Sequence, residues 1–244
     1  MEYNKLILIG DAHFRGDGAE WPKLYGHLGP VPNEFRSNIW STKIKTADEK
    51  TLLELNKQFY SALGDKVLKQ KDAVIDIRKS SSFGPILAKE LGVKYENYAQ
   101  GSSDISEILP FFKYHCNHDN LKNVLVIAGI PNAVENLSYQ QKGEKLKNIT
   151  IKHIASHIML MKEYVENRGG HFLYMHTEDF PEELYDPNHN PYLMDLMLLL
   201  VHRGNLQSLL TNAYYWRKYD GKYFDASAQK QIGHKLKELV VNQL

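Results

Sequence analysis

Two short stretches of this 244-residue chain place acid–base chemistry beside apolar elements. Near one end stand Ile9, Gly10, Asp11, Ala12 and His13; near the other stand Asp225, Ala226, Ser227 and Ala228, followed by Gly233 and His234. Acyl transfer needs a nucleophile, a base to take its proton, a carboxylate to orient the base and donors for the oxyanion. Two carboxylates, Asp11 and Asp225, and two imidazoles, His13 and His234, are present in these stretches. Ala12 and Ala228, however, have no side-chain donor, acceptor or titrating group, so neither can attack a carbonyl or accept a proton. His13 adjoins Ala12, but neighbouring side chains on an extended loop point apart, so it is read as a cleft wall or solvent-facing. His234 lies six residues beyond Ala228, about 9 Å along a helix, too far to replace a base at position 228.

Other polar clusters carry weaker chemistry. His171, His176 and His189, with Glu178, Asp179 and Asp186 nearby, are residue types that bind zinc or manganese. Eleven histidines make such a cluster expected by chance, no His-Glu-x-x-His pattern is present, and strand alternation would separate His171 from its neighbours; no metal site is assigned. Trp21, Trp40, Tyr214, Tyr215, Trp216, Tyr219 and Tyr223 could stack on sugar rings or acyl groups, and packing or an oligomer interface explains them equally well. Arg15 and Arg217 could meet an anionic group, though a solvated or salt-bridged position is the default. Cys116 beside His115 reads as a structural thiol.

The elements that must position these residues follow from the apolar pattern. A short apolar run, 5–9, suits a buried parallel strand whose C-terminal end delivers Gly10 and Asp11 to a loop, where open α/β sheets carry function. A second apolar run covers 73–77. A helix is expected over 83–91, stopped by Gly92, then a strand over 93–98 and a helix over 102–112 capped by Ser103 or Asp104. The clearest strand is 124–128. Ile151, Ile154, Ile158, Met161 and Val165 recur at three- and four-residue steps, a helix stripe that would lie on the sheet, ended by Gly169 and Gly170 before a strand over 171–175. Strands separated by such helices predict a three-layer α/β/α domain with a central mostly parallel sheet. Residues 17–72 and 179–221 fit poorly and are read as insertions near the site, the second with a helix over 192–210.

In that order, the motifs resemble the SGNH/GDSL hydrolases, whose serine follows Gly-Asp after the first strand and whose Asp-x-x-His opens the last helix. The resemblance spans residues 10–234 and implies a flavodoxin-like architecture in a single domain, 1–244. It places Ala12 in the nucleophile position, Ala228 in the general-base position and Asp225 as the orienting carboxylate, with Gly233 at the family spacing. Gly101, after Asn97, Tyr98, Ala99 and Gln100, takes the place of the glycine that donates its N–H to the oxyanion. Asn132, in Gly129-Ile130-Pro131-Asn132-Ala133, is the nearest equivalent of the family's asparagine donor, one residue late and without the aspartate that follows it in the family. The backbone N–H of Ala12 would complete the oxyanion hole, and Gly10, Asp11 and His13 form the site loop. No metal or organic cofactor is implied.

The resemblance therefore implies a serine esterase, acting on acetyl or other short acyl groups of a carbohydrate, in a catalytically disabled form. Two origins of the alanine pair stay open: substitution of a working serine and histidine, or a natural pseudoenzyme serving as a glycan-binding or structural module. Formal net charge +1, with 30 basic and 29 acidic residues and no long run of either sign, argues against nucleic acid as a partner. The single cysteine excludes an internal disulfide framework. The apolar runs at 6–9 and 193–201 are too short for a signal peptide core or a membrane span. The expected protein is soluble, cytoplasmic or within a larger particle, with an ester-bearing small molecule or glycan as partner and oligomerisation left open.

Overall fold

The computed structural model describes residues 3–17, 19, 71–100, 105–115, 120–131, 144–177, 200–210, 224 and 226–242. Among these residues, five strands make one sheet: β1 (Lys5–Ile9), β2 (Lys94–Asn97), β3 (Val124–Ile130), β4 (His171–His176) and β5 (Leu200–Asn205). Their order is β2-β1-β3-β4-β5 and every pairing is parallel. This is the doubly wound order in which the chain reverses direction across the sheet between β1 and β3, opening a crevice at their C-terminal ends.

Helices cover both faces, which is why the central strands are unbroken apolar runs rather than alternating ones. Ile7, Ile9, Val126, Ala128, Phe172 and Tyr174 meet α4 (Ile105–His115) and α5 (Glu144–Glu166). Leu6, Leu8, Leu125, Ile127, Leu173 and Met175 point the other way, toward α3 (Phe83–Leu91) and α6 (Ala226–Asn242). Two further helices, α1 (Ala12–Arg15) and α2 (Lys71–Ser81), stand between β1 and α3 in the chain. The expected three-layer α/β/α architecture is thus present.

Local expectations hold where packing agrees with pattern. Ile154, Ile158, Met161 and Val165 of α5 are buried against the sheet, and Gly92 ends α3 at φ 69°, its N–H bonded to the Ala88 and Lys89 carbonyls. The apolar run at 73–77 belongs to α2. One reading changes: the helix expected over 192–210 is replaced, within 200–209, by β5 and a 3-10 turn (Leu206–Leu209). Pairing with the open edge of β4 supplies β5's backbone bonds, and Gly204 weakens the helical alternative. Most of 17–72 and the rest of 179–221 lie outside the described residues. Among the described residues, no helix is long and apolar enough to cross a membrane.

Candidate active site

β1 ends at the crevice with Gly10 at φ 145°, a conformation that L side chains rarely adopt. A Cβ on Gly10 would sit 2.9 Å from the Gly129 carbonyl oxygen, so the two strand ends touch backbone to backbone. Asp11 then caps α1: its carboxylate accepts the His13 N–H at 3.0 Å. Ala12 is the first residue of α1 and is 6% exposed. Its N–H belongs to the first helical turn, whose amides have no partner within the helix and carry the positive end of its dipole.

Asp11 is buried, and that burial raises its carboxyl above the ordinary 3.8. The His13 imidazole, the Thr177 hydroxyl and the His13 and Phe14 N–H groups pull in the opposite direction without cancelling the rise. The Thr177 hydroxyl reaches Asp11 at 3.0 Å from the residue after β4, tying three strand ends together. At the end of β2, Asn97 donates to the Phe14 carbonyl at 2.9 Å and to the Tyr95 hydroxyl at 2.8 Å, and accepts from the Ala99 N–H. Burial pushes the Tyr95 hydroxyl well up, so it stays protonated. The Gln100 N–H donates to the Gly10 carbonyl at 2.9 Å, holding the residue before position 101 against the site loop.

The last helix arrives beside α1. Ala228, 2% exposed, packs in the apolar cluster that includes Phe14, Phe83 and Phe224. The Phe224 and His13 rings lie 5.2 Å apart. Next to Ala228, the fully buried Gln229 accepts the Phe83 N–H at 2.8 Å and reaches the His13 carbonyl oxygen at 3.5 Å. Gly233, one turn further, lets α6 approach α3: a Cβ there would be 2.9 Å from Ile86 and 3.0 Å from the Phe83 carbonyl.

The site loop and the opening of α6, more than two hundred residues apart in sequence, therefore share one corner of the molecule. His13 is buried there, a wall of the corner rather than a solvent-facing group. His234 is exposed on α6, 3.4 Å from Glu90. Arg15 is committed to Asp17 by two bonds of 2.6 and 2.5 Å, so it takes the salt-bridged alternative. His171 and His176 occupy opposite ends of β4, about 16 Å apart along an extended chain, so they cannot share one metal ion. No group of three metal-ligating residues stands among the described residues. Asp225, Gly101, Asn132, His189, Glu178, Asp179, Asp186, Cys116, Arg217 and the aromatics at 21, 40, 214–216, 219 and 223 lie outside the described residues.

Sequence reading missed Thr177, Asn97 and Gln229. The first two have a signal in hindsight, since each lies at the C-terminal end of a strand, where this sheet order carries its crevice. Gln229 has only its adjacency to Ala228.

No protein-family model and no curated protein matches the chain. Among solved structures it is similar to a protein assigned to the G-D-S-L lipolytic family from Desulfitobacterium hafniense DCB-2, at 11% identity and TM-score 0.53, covering 97% of this chain and 99% of that one. It is also similar to a carbohydrate esterase whose active site is described as displaying divergent catalytic and non-catalytic binding functions. That match has 8% identity and TM-score 0.51, covering 98% of this chain and 68% of the other. The chain has the fold of the SGNH/GDSL hydrolases.

Proposed function

We propose that this chain is a single-domain SGNH-type ester hydrolase in a disabled form, with alanine in the place of the nucleophilic serine and the general-base histidine. The observation that carries the reading is the contact of Gln229 with the His13 carbonyl. It sets the residue after position 12 beside the residue after position 228, as a nucleophile and its base require. In a competent form, a serine in the place of Ala12 would attack the acyl carbonyl and pass its proton to a histidine in the place of Ala228, oriented by Asp225. The base would return that proton to the departing alcohol, and water would then release the acyl group. The N–H of position 12, the Gly101 N–H and the Asn132 side chain would hold the oxyanion. A carbohydrate ester is the proposed substrate class, supported by the likeness to a carbohydrate esterase. No cofactor is needed for these steps.

A second reading has its own support. The Ala228 methyl fills an apolar cluster with Phe14, Phe83 and Phe224, as expected of a natural pseudoenzyme that keeps the fold as a glycan-binding or structural module. Hydrolysis of p-nitrophenyl acetate and labelling by a fluorophosphonate, compared between this chain and its Ala12→Ser/Ala228→His variant, separate the two. Activity and label at position 12 only in the variant support the hydrolase. A folded variant inert to both reagents and to longer esters overturns it in favour of the binding module.

A further inference from the structure

We propose that Gln229 is the positioning residue that sets position 228 against position 12, an inference that rests on the hydrolase reading above. A glutamine in the first turn of a surface helix ordinarily points to water. Gln229 is instead 0% exposed and uses both ends of its amide. Its oxygen accepts the Phe83 N–H, an amide of the first turn of α3 that has no partner within that helix. The residue that would ordinarily cap it, Ser82, makes no side-chain cap bond; its hydroxyl goes to the Lys79 carbonyl at 2.8 Å and pairs with Tyr95 at 2.9 Å. Gln229 therefore caps α3 from another helix. Its nitrogen points at the carbonyl of His13.

The two contacts refer α6 to different helices, the first a bond of 2.8 Å and the second a longer approach of 3.5 Å. The Phe83 bond anchors α6 to α3, and Gly233 keeps the two helices close one turn later. The His13 contact refers α6 to α1. His13 directly follows position 12 and Gln229 directly follows position 228, so one side chain joins the neighbours of both alanines. Sliding or rotation of α6 by about 1 Å would move position 228 by as much, a displacement that can lower a rate about 100-fold. An apolar side chain of the same length would fill the space but leave the Phe83 N–H and His13 carbonyl without this partner and the register without its two fixed points.

Two measurements test this. In the Ala12→Ser/Ala228→His background, Gln229→Met should lower kcat for p-nitrophenyl acetate by about tenfold or more with KM unchanged. Gln229→Glu, which retains the acceptor for Phe83 but as a carboxylate has no donor for the His13 carbonyl, should not restore the rate. Independently of activity, Ala12→Cys/Ala228→Cys in a Cys116→Ser chain should be bridged by a short thiol cross-linker about tenfold faster with Gln229 than with methionine there, both proteins melting cooperatively. An unchanged cross-linking rate overturns the proposal whatever the activity. An inert hydrolytic variant whose cross-linking slows with Gln229→Met overturns the hydrolase reading and supports the positioning role. Should Gln229→Met fail to fold, Gln229→Asn, one methylene shorter, is read by the same two rates.

Discussion

The Thr177 hydroxyl lies 3.0 Å from the Asp11 carboxylate and 3.2 Å from the Ile130 carbonyl oxygen, so one side chain after β4 joins the end of β3 to the cap of α1. The Thr177 N–H adds a bond to the same Ile130 carbonyl at 3.1 Å. The cap that presents position 12 is thus held by the sheet as well as by its own helix.

Thr177→Val keeps the shape and removes the hydroxyl. Loss of a donor to a buried carboxylate should lower stability by about 1–3 kcal/mol. Because the hydroxyl pulls the Asp11 carboxyl down, that carboxyl should titrate higher still in the variant. Urea unfolding and carboxyl NMR titration measure the two effects; an unchanged midpoint and titration would show that the hydroxyl contributes nothing.

His176 supplies an acid-sensitive contribution. Burial holds its imidazole at about 3, against the ordinary 6.5. With the folded value below the unfolded one, its contribution to stability is complete above pH 6.5 and is lost as the pH falls toward 3, by up to about 1.4 kcal/mol per pH unit. Urea midpoints across this window should show a shallower slope in His176→Phe than in the parent chain. Equal slopes would mean that His176 is protonated without penalty in the fold.

Asp11 acts with the opposite sign. Its folded value is raised above 3.8, so the stability associated with its neutral form is complete below that pH and is lost as the pH rises through the folded value. Asp11→Asn, which does not titrate, should therefore gain stability relative to the parent over that rise. A pH-independent difference between the two proteins would refute a raised carboxyl.

Gly233 tests the approach of α6 to α3. In Gly233→Ala the added Cβ would stand 2.9 Å from the Ile86 side chain and 3.0 Å from the Phe83 carbonyl. Neither gives way cheaply, since the Ile86 atoms are its β-carbon and the methyl on it and the Phe83 oxygen belongs to a helix backbone, and a loss of about 1–3 kcal/mol is expected. Thermal melts check it; a variant as stable as the parent would mean that the two helices separate freely.

Much of the scaffold was legible along the chain. The runs at β1, β3 and β4 announce buried parallel strands because both faces are covered, and the stripe of α5 states which side meets the sheet. Gly10 and Asp11 mark a loop at a strand end. They do so because a φ of 145° strongly favours glycine and an aspartate can cap the helix that follows. Local sequence also states that alanine at positions 12 and 228 has no group with which to attack a carbonyl or take a proton.

Only the tertiary structure decided the rest. β5 exists because the edge of β4 was open to pair, a fact absent from residues 200–205 themselves. The partners of Asp11 and Gln229 depend on distance in space: Thr177 is 166 residues from Asp11, and Phe83 is 146 from Gln229. A side chain's hydrogen-bonding capacity is written in its residue type, but its partner is chosen by which backbones the packed layers bring within about 3 Å. Sequence periodicity carries the faces of helices and strands and holds no record of that proximity.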